Sequence, residues 1–295
     1  MHEQSTLEIL TQNEDICKPE SYGGIGLNDI LVGDCLKVLK RYPNNYFDLI
    51  ITSPPYANRR KKTYGGIHPD RYVDWFIPRS DEFKRVLKPR GTFILNIKEI
   101  VVDGERHTYV IEIIERMREH GWLWTEEFIW HKRNCHPGKW PNRFRDAWER
   151  CLQFNKRRDF KMYQKAVMEP IGDWAETRLN HLSKADRIRT NSQLDSGFGR
   201  KVANWVERDE VYPTNVRHLA TECGNVNHNA AFPISLPNWF IRAFTKQNDI
   251  VLDPFSGSGT VGVAAKRLGR NYVLIDIKPE FKSVASRRIA SDSDS

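Results

Sequence analysis

The sequence predicts an α/β fold built on a doubly wound, mainly parallel sheet. Three observations predict it. Short apolar runs alternate with stretches of helical spacing, Gly and Pro punctuate the junctions, and the chemically useful polar residues follow the apolar runs directly. With 295 residues the chain can form one large domain with an inserted subdomain and a sizeable core.

Residues 1–27 form an arm that includes Gly23-Gly24-Ile25-Gly26. Asp29–Val32 is the first short strand, followed by Gly33-Asp34 and a helix to about Arg41. Phe47–Thr52 is the next strand, halted by Pro54-Pro55 because proline has no N–H for a ladder. A helix is expected over 80–87, ending at Lys88-Pro89-Arg90-Gly91, with a third strand over 92–97. Val110, Ile113, Ile114 and Met117 are spaced as on a helix over 109–120, which Gly121 closes. Strands are expected over 122–130 and 150–154. From 156 to 228 the chain is polar and basic with little periodicity, which predicts an insertion between two halves, 28–155 and 229–290. The second half reads as a helix (236–244), a strand (250–253), a Gly-rich turn, a helix (260–268), a strand (272–276) and a closing helix (279–289).

The formal net charge of +8 suits a polyanionic partner, nucleic acid first, although many soluble proteins are mildly basic without one. No apolar run is long enough to cross a bilayer, and the first sixteen residues carry four acids where a secretory signal would carry a basic and then an apolar stretch. Five cysteines without a CxxC pair predict free thiols in a reducing, cytoplasmic setting. His131, Cys135 and His136 lie close together but lack a second ligand pair, so no metal is expected.

Ligands of doubly wound sheets bind at the carboxyl ends of the strands. That directs attention to Gly33-Asp34, to 52–56, to 253–260 and to Asp276. Asp253-Pro254-Phe255-Ser256-Gly257-Ser258-Gly259-Thr260 lies between a strand and a helix, where two glycines permit a tight turn and close backbone approach. It is not a P-loop, since GxxxxGK[ST] is absent, and alone it is equally a plain turn. Asp276 ends the next strand sixteen residues past Thr260, where a carboxylate can accept both hydroxyls of a ribose. Turn and acid together favour an adenosyl ligand.

Thr52-Ser53-Pro54-Pro55-Tyr56 combines a hydroxyl and a fixed carbonyl as acceptors with a flat aromatic face. Such a turn can hold a planar ring bearing an –NH2 group. A nucleobase amine is a poor nucleophile because its lone pair is delocalised; acceptors that draw it toward tetrahedral geometry return density to nitrogen, for attack on an electrophilic methyl group. Read by itself, the tetrapeptide is equally a proline-rich loop.

The two segments together, 52–56 and 253–260, resemble the amino-methyltransferases of DNA restriction–modification systems. Leu87-Lys-Pro-Arg-Gly91, the pattern Ile129-Trp130, Arg143-Phe144-Arg145, Glu149 and Phe154, and His228-Asn-Ala-Ala-Phe-Pro233 are similar to further segments of that family, with Asn229 where a proline is usual. The order of motifs, catalytic before cofactor, resembles the β group, a circularly permuted Rossmann-like methyltransferase sheet with an inserted target-recognition region. The resemblance implies S-adenosyl-L-methionine as cofactor and double-stranded DNA as substrate, with the target base flipped out. Catalysis would fall to Ser53, Pro54, Pro55 and Tyr56. Asp34 would face the cofactor's adenine, Asp276 its ribose, and Phe255 and Phe232 its methionyl side; Asp253, Pro254, Gly257, Gly259 and Thr260 complete the cofactor set. The serine in the tetrapeptide leans toward cytosine N4, with adenine N6 as the alternative and a DNA-binding protein that kept the fold but lost catalysis as a distant one. A homodimer and a cognate restriction endonuclease are implied as partners.

Arg59, Arg60, Lys61 and Lys62 begin three residues past Tyr56 and suit phosphates near a flipped base, although such a run is elsewhere a solvated loop. Between 132 and 165 eleven Lys and Arg outnumber three acids, with Trp140, Phe144 and Trp148 interleaved. Lys132, Arg133, Arg143 and Arg145 are therefore candidates for DNA contact, with Arg200 in the variable stretch for base or backbone.

Overall fold

The computed structural model describes residues 26–58, 66–135, 138, 141–172, 181, 183–184, 209–221 and 232–292. Its centre is an eight-stranded sheet. The chain first lays down β1 (Asp29–Val32), β2 (Phe47–Thr52) and β3 (Leu87–Ile97), then a small hairpin of β4 (Val101–Val102) and β5 (Glu105–Arg106). Next come β6 (Leu123–Lys132), β7 (Trp148–Asn155), a short β8 (Glu169–Pro170) paired with β9 (Glu210–Val211), then β10 (Val216–Leu219), β11 (Ile250–Asp253) and β12 (Asn271–Asp276). The spatial order is β1-β12-β11-β2-β3-β7-β6-β10. Neighbours from β1 to β3 run parallel, β7 is antiparallel to both β3 and β6, and β10 is parallel to β6.

Helices cover both faces. On one lie α1 (Cys35–Leu39), α2 (Pro69–Val86) and α3 (Tyr109–Glu119); on the other α4 (Ser235–Phe244), α5 (Thr260–Arg267) and α6 (Pro279–Ser291). Adjacent strand residues feed opposite cores: Leu252, Val273 and Ile275 pack toward the first helices, Val251 and Leu274 toward the second. Burial on both faces is why these strands are continuous apolar runs rather than alternating ones.

Two expectations need correction. The helix expected over 80–87 is α2 and begins at Pro69, with Pro78 inside it. A mid-helix proline removes one backbone donor. The buried face of Tyr72, Val73, Phe76, Ile77, Ser80 and Phe83 keeps helical spacing across it, and packing decides. Second, Leu87–Gly91 is not a helix end but the start of β3. Phe47 pairs with Leu87 while Leu49 pairs with Thr92, so these residues bulge out of register. The bulge serves buried Asp48: Lys88 Nζ lies 2.7 Å from its Oδ2, which also accepts the Ile250 amide at 3.0 Å. A Cβ on Gly91 would meet the Asp48 carbonyl at 2.8 Å. Parts of the inserted stretch 156–228 touch the catalytic half. Val216–Leu219 extends it as β10, and the Tyr163 amide donates to Ala243 of α4 at 2.6 Å.

Candidate active site

The carboxyl ends of β1, β2, β3, β11 and β12 converge on one cavity of about 730 Å³. Ser53, Pro54, Pro55, Tyr56, Asp34, Phe232, Asp253, Pro254, Phe255, Gly257, Thr260, Asp276 and Arg143 all line it. Segments far apart in the chain meet there because parallel strands present all their carboxyl ends at one edge.

The floor is a set of buried hydrogen bonds. Thr52 Oγ1 donates to Asp253 Oδ1 at 2.6 Å, joining the ends of β2 and β11, and the Phe255 amide donates to the same oxygen at 3.1 Å. Burial pushes the Asp253 carboxyl up to about 7, against the lowering effect of those two donors. Asp276 Oδ2 accepts the Gly257 amide and Oδ1 the Lys278 amide, both at 2.9 Å. The Asp34 carboxylate caps α1 through the Leu36 amide and pairs with Arg79 at 3.1 Å, while the Arg79 guanidinium lies 4.2 Å from the Trp75 ring centroid. Trp75 in turn packs on Phe255 at 5.7 Å, so this wall of the cavity is aromatic.

At the other wall a chain of hydroxyls and charges leaves the tetrapeptide. Ser53 Oγ donates to Tyr56 Oη at 3.1 Å, and Tyr56 Oη donates to Glu149 Oε2 at 2.6 Å, with Asn96 Oδ1 at 3.2 Å. Lys132 Nζ holds the other Glu149 oxygen. Burial and the Glu149 charge raise the Tyr56 phenol well above its ordinary range, so it stays a donor. From α2, Tyr72 Oη donates to the Pro55 carbonyl at 2.8 Å and fixes the turn from behind. Glu99, with a side chain only 8% exposed, pairs through Oε1 with Arg150 at 2.8 Å. Its Oε2 is buried with no hydrogen-bond partner among the described residues.

Gly259 does not line the cavity: at φ +80° a Cβ would meet the Ala285 Cβ at 2.7 Å, so the glycine serves the packing of α6 against the turn. Lys132 is 18% exposed and pairs with Glu149. Arg133 and Arg145 are exposed and outside the lining. Arg59, Arg60, Lys61, Lys62 and Arg200 lie outside the described residues, as does His136. Among the described residues no group of three or more metal-ligating side chains gathers, and no helix is long and apolar enough to cross a membrane. Trp75, Arg79, Lys98 and Glu99 line the cavity and were not anticipated from the sequence. The strand-end rule would have found the last two, which follow Ile97 directly.

Fold and cavity are those of the doubly wound α/β class, with its ligand crevice at the carboxyl edge of the sheet. Within that class the chain belongs to the DNA methylase family, whose model matches residues 47–287. It is 29% identical to the type II methyltransferase M.PvuII of Proteus hauseri over 284 residues, 89% of this chain and 83% of that one. It is 28% identical to the type II methyltransferase M.HinfI of Haemophilus influenzae over 279 residues, 89% and 68% of the two chains. Among solved structures it is similar to the PvuII DNA methyltransferase (cytosine-N4-specific), with a TM-score of 0.65, 25% identity and 90% of each chain covered. The fold is also shared with a Thermus thermophilus DNA modification methylase complexed with S-adenosyl-L-methionine, at a TM-score of 0.58, 24% identity and 89% and 93% coverage.

Proposed function

We propose that the protein transfers a methyl group from S-adenosyl-L-methionine to the N4 amine of a flipped cytosine in double-stranded DNA. Ser53 carries the reading. Its hydrogen is engaged by Tyr56, so its lone pairs are left to accept from the cavity.

The cavity fits an adenosyl cofactor by its chemistry as well as its size, which lies within the range of about 300–1,000 Å³ usual for small-molecule sites. Asp276 stands at the end of β12 for the ribose hydroxyls, and Asp34 just past β1 for the adenine amine. Phe255, Trp75 and Phe232 give the sulfonium aromatic and apolar neighbours. When bound, the cofactor supplies an electrophilic methyl carbon.

The chain's own residues then hold and activate the amine. Ser53 Oγ and the Pro54 carbonyl accept its two N–H bonds, and Tyr56 offers its ring to the base. As nitrogen forms its new bond to carbon it must lose one proton. The Ser53–Tyr56–Glu149 chain gives that proton a path of 3.1 and 2.6 Å steps, and Lys132 balances the charge of Glu149. No activated water is required.

Residues 28–155 and 229–290 form the catalytic part in this reading, and 156–228 contribute target recognition. Arg59 to Lys62, Arg133, Arg143, Arg145 and Arg200 are its candidate DNA contacts. A homodimer and a paired endonuclease for the same sequence belong to the same reading. The test is Ser53→Ala: transfer to DNA should fall at least about a hundredfold, as when one preorganised polar group is lost, while calorimetry shows unchanged cofactor binding. Full activity in the variant would remove Ser53 from the chemistry.

A further inference from the structure

We propose that Phe144 is the wedge that enters the DNA base stack and holds the target base out of the duplex, an inference that rests on the DNA-methyltransferase reading above. The carrying observation is its exposure. Phe144 is 97% exposed, against 53% for Ile277, the next most exposed large hydrophobic among the described residues. A bare phenyl ring gains nothing from water, and removing it into an apolar stack is favourable.

Its place gives the exposure a use. Phe144 lies between Arg143, which lines the cavity, and the exposed Arg145. Two residues on, Asp146 also lines the cavity and ties the segment down through Lys98 at 3.3 Å and Arg106 of the β4–β5 hairpin at 3.0 Å. The Ala147 carbonyl accepts from the Lys132 amide at 2.7 Å. Phe144 is thus held outward at the rim of the cavity that would receive the base, beside a guanidinium on either side. Apolar side chains inserted between base steps are a common means of unstacking, with cations on the neighbouring phosphates.

The role predicts a dependence that a structural role would not show. Extruding a base costs least when it is already unpaired. The test uses the full chain, cofactor and a synthetic duplex carrying a sequence that the wild-type protein methylates. A matched version and one with an abasic site opposite the target are compared. Phe144→Ala should lower kcat/KM on the matched duplex by roughly ten- to hundredfold, the worth of one base–aromatic stack. On the abasic duplex the deficit should shrink to within about twofold, since the flipping cost has gone. Phe144→Leu, which keeps an apolar wedge, should fall between. With 2-aminopurine at the target position, wild-type protein should brighten the fluorescence and Phe144→Ala should not. Equal activity of wild type and Phe144→Ala on the matched duplex, or an equal loss on both duplexes, would overturn the wedge. A wild-type protein that methylates no DNA would instead overturn the reading beneath it.

Discussion

Ser53, Tyr56 and Glu149 form a connected path rather than three separate acceptors. Tyr56→Phe keeps the ring and removes the link, so turnover should drop roughly a hundredfold with little change in cofactor affinity, in line with loss of a positioned proton carrier. A turnover unchanged within error would show that the amine sheds its proton elsewhere. Asp253 makes a pH prediction. Its carboxyl binds a proton more tightly in the folded chain than in the unfolded one. Its stabilisation is therefore complete below the ordinary carboxylate range and lost as pH rises through about 7. Asp253→Asn keeps an acceptor for Thr52 and Phe255 and cannot ionise. Melting measured from about pH 5.5 to about pH 8.5 should show the variant gaining on the wild type as pH rises; a constant difference would contradict the raised carboxyl. The residues of this site that end strands were legible in the sequence because strand ends are local. The Lys132–Glu149 pair was not: it depends on β6 and β7 pairing Trp130 with Glu149 and His131 with Trp148, and register across a long connection leaves no local signal.

Among the elements, α2 and β3 show how packing overrides punctuation. Pro78 and Pro89 both invite a break, yet one sits inside a helix and the other in a bulged strand. In each case buried neighbours fix the backbone, Phe76 and Phe83 for the helix and Asp48 with Lys88 for the bulge. The Gly-rich turn was legible as a turn, while the division of labour between its glycines was not, because Ala285 comes from α6, 26 residues later. Gly259→Ala combines a left-handed φ with a 2.7 Å contact. It should destabilise the fold by about 2–4 kcal/mol in urea unfolding. A cost below about 0.5 kcal/mol would mean that α6 can retreat freely.

For the whole molecule, the doubly wound sheet was foreseeable since strands buried on both faces leave continuous apolar runs separated by helical spacing. The antiparallel place of β7 between β3 and β6 and the return of the chain as β10 were not, for both depend on which edges remain open once the parallel half has formed. That arrangement puts the tetrapeptide after β2 and the Gly-rich turn after β11 on neighbouring strands, so that methyl donor and target amine can share one cavity. The measurement that tests this most directly is transfer from labelled S-adenosyl-L-methionine to unmethylated plasmid DNA, followed by digestion and mass spectrometry of the nucleosides. A single new species, N4-methylcytosine, is the expected result. N6-methyladenine would keep the cavity and its chemistry but contradict the cytosine assignment, and no methylated nucleoside at all would contradict methyl transfer to DNA itself.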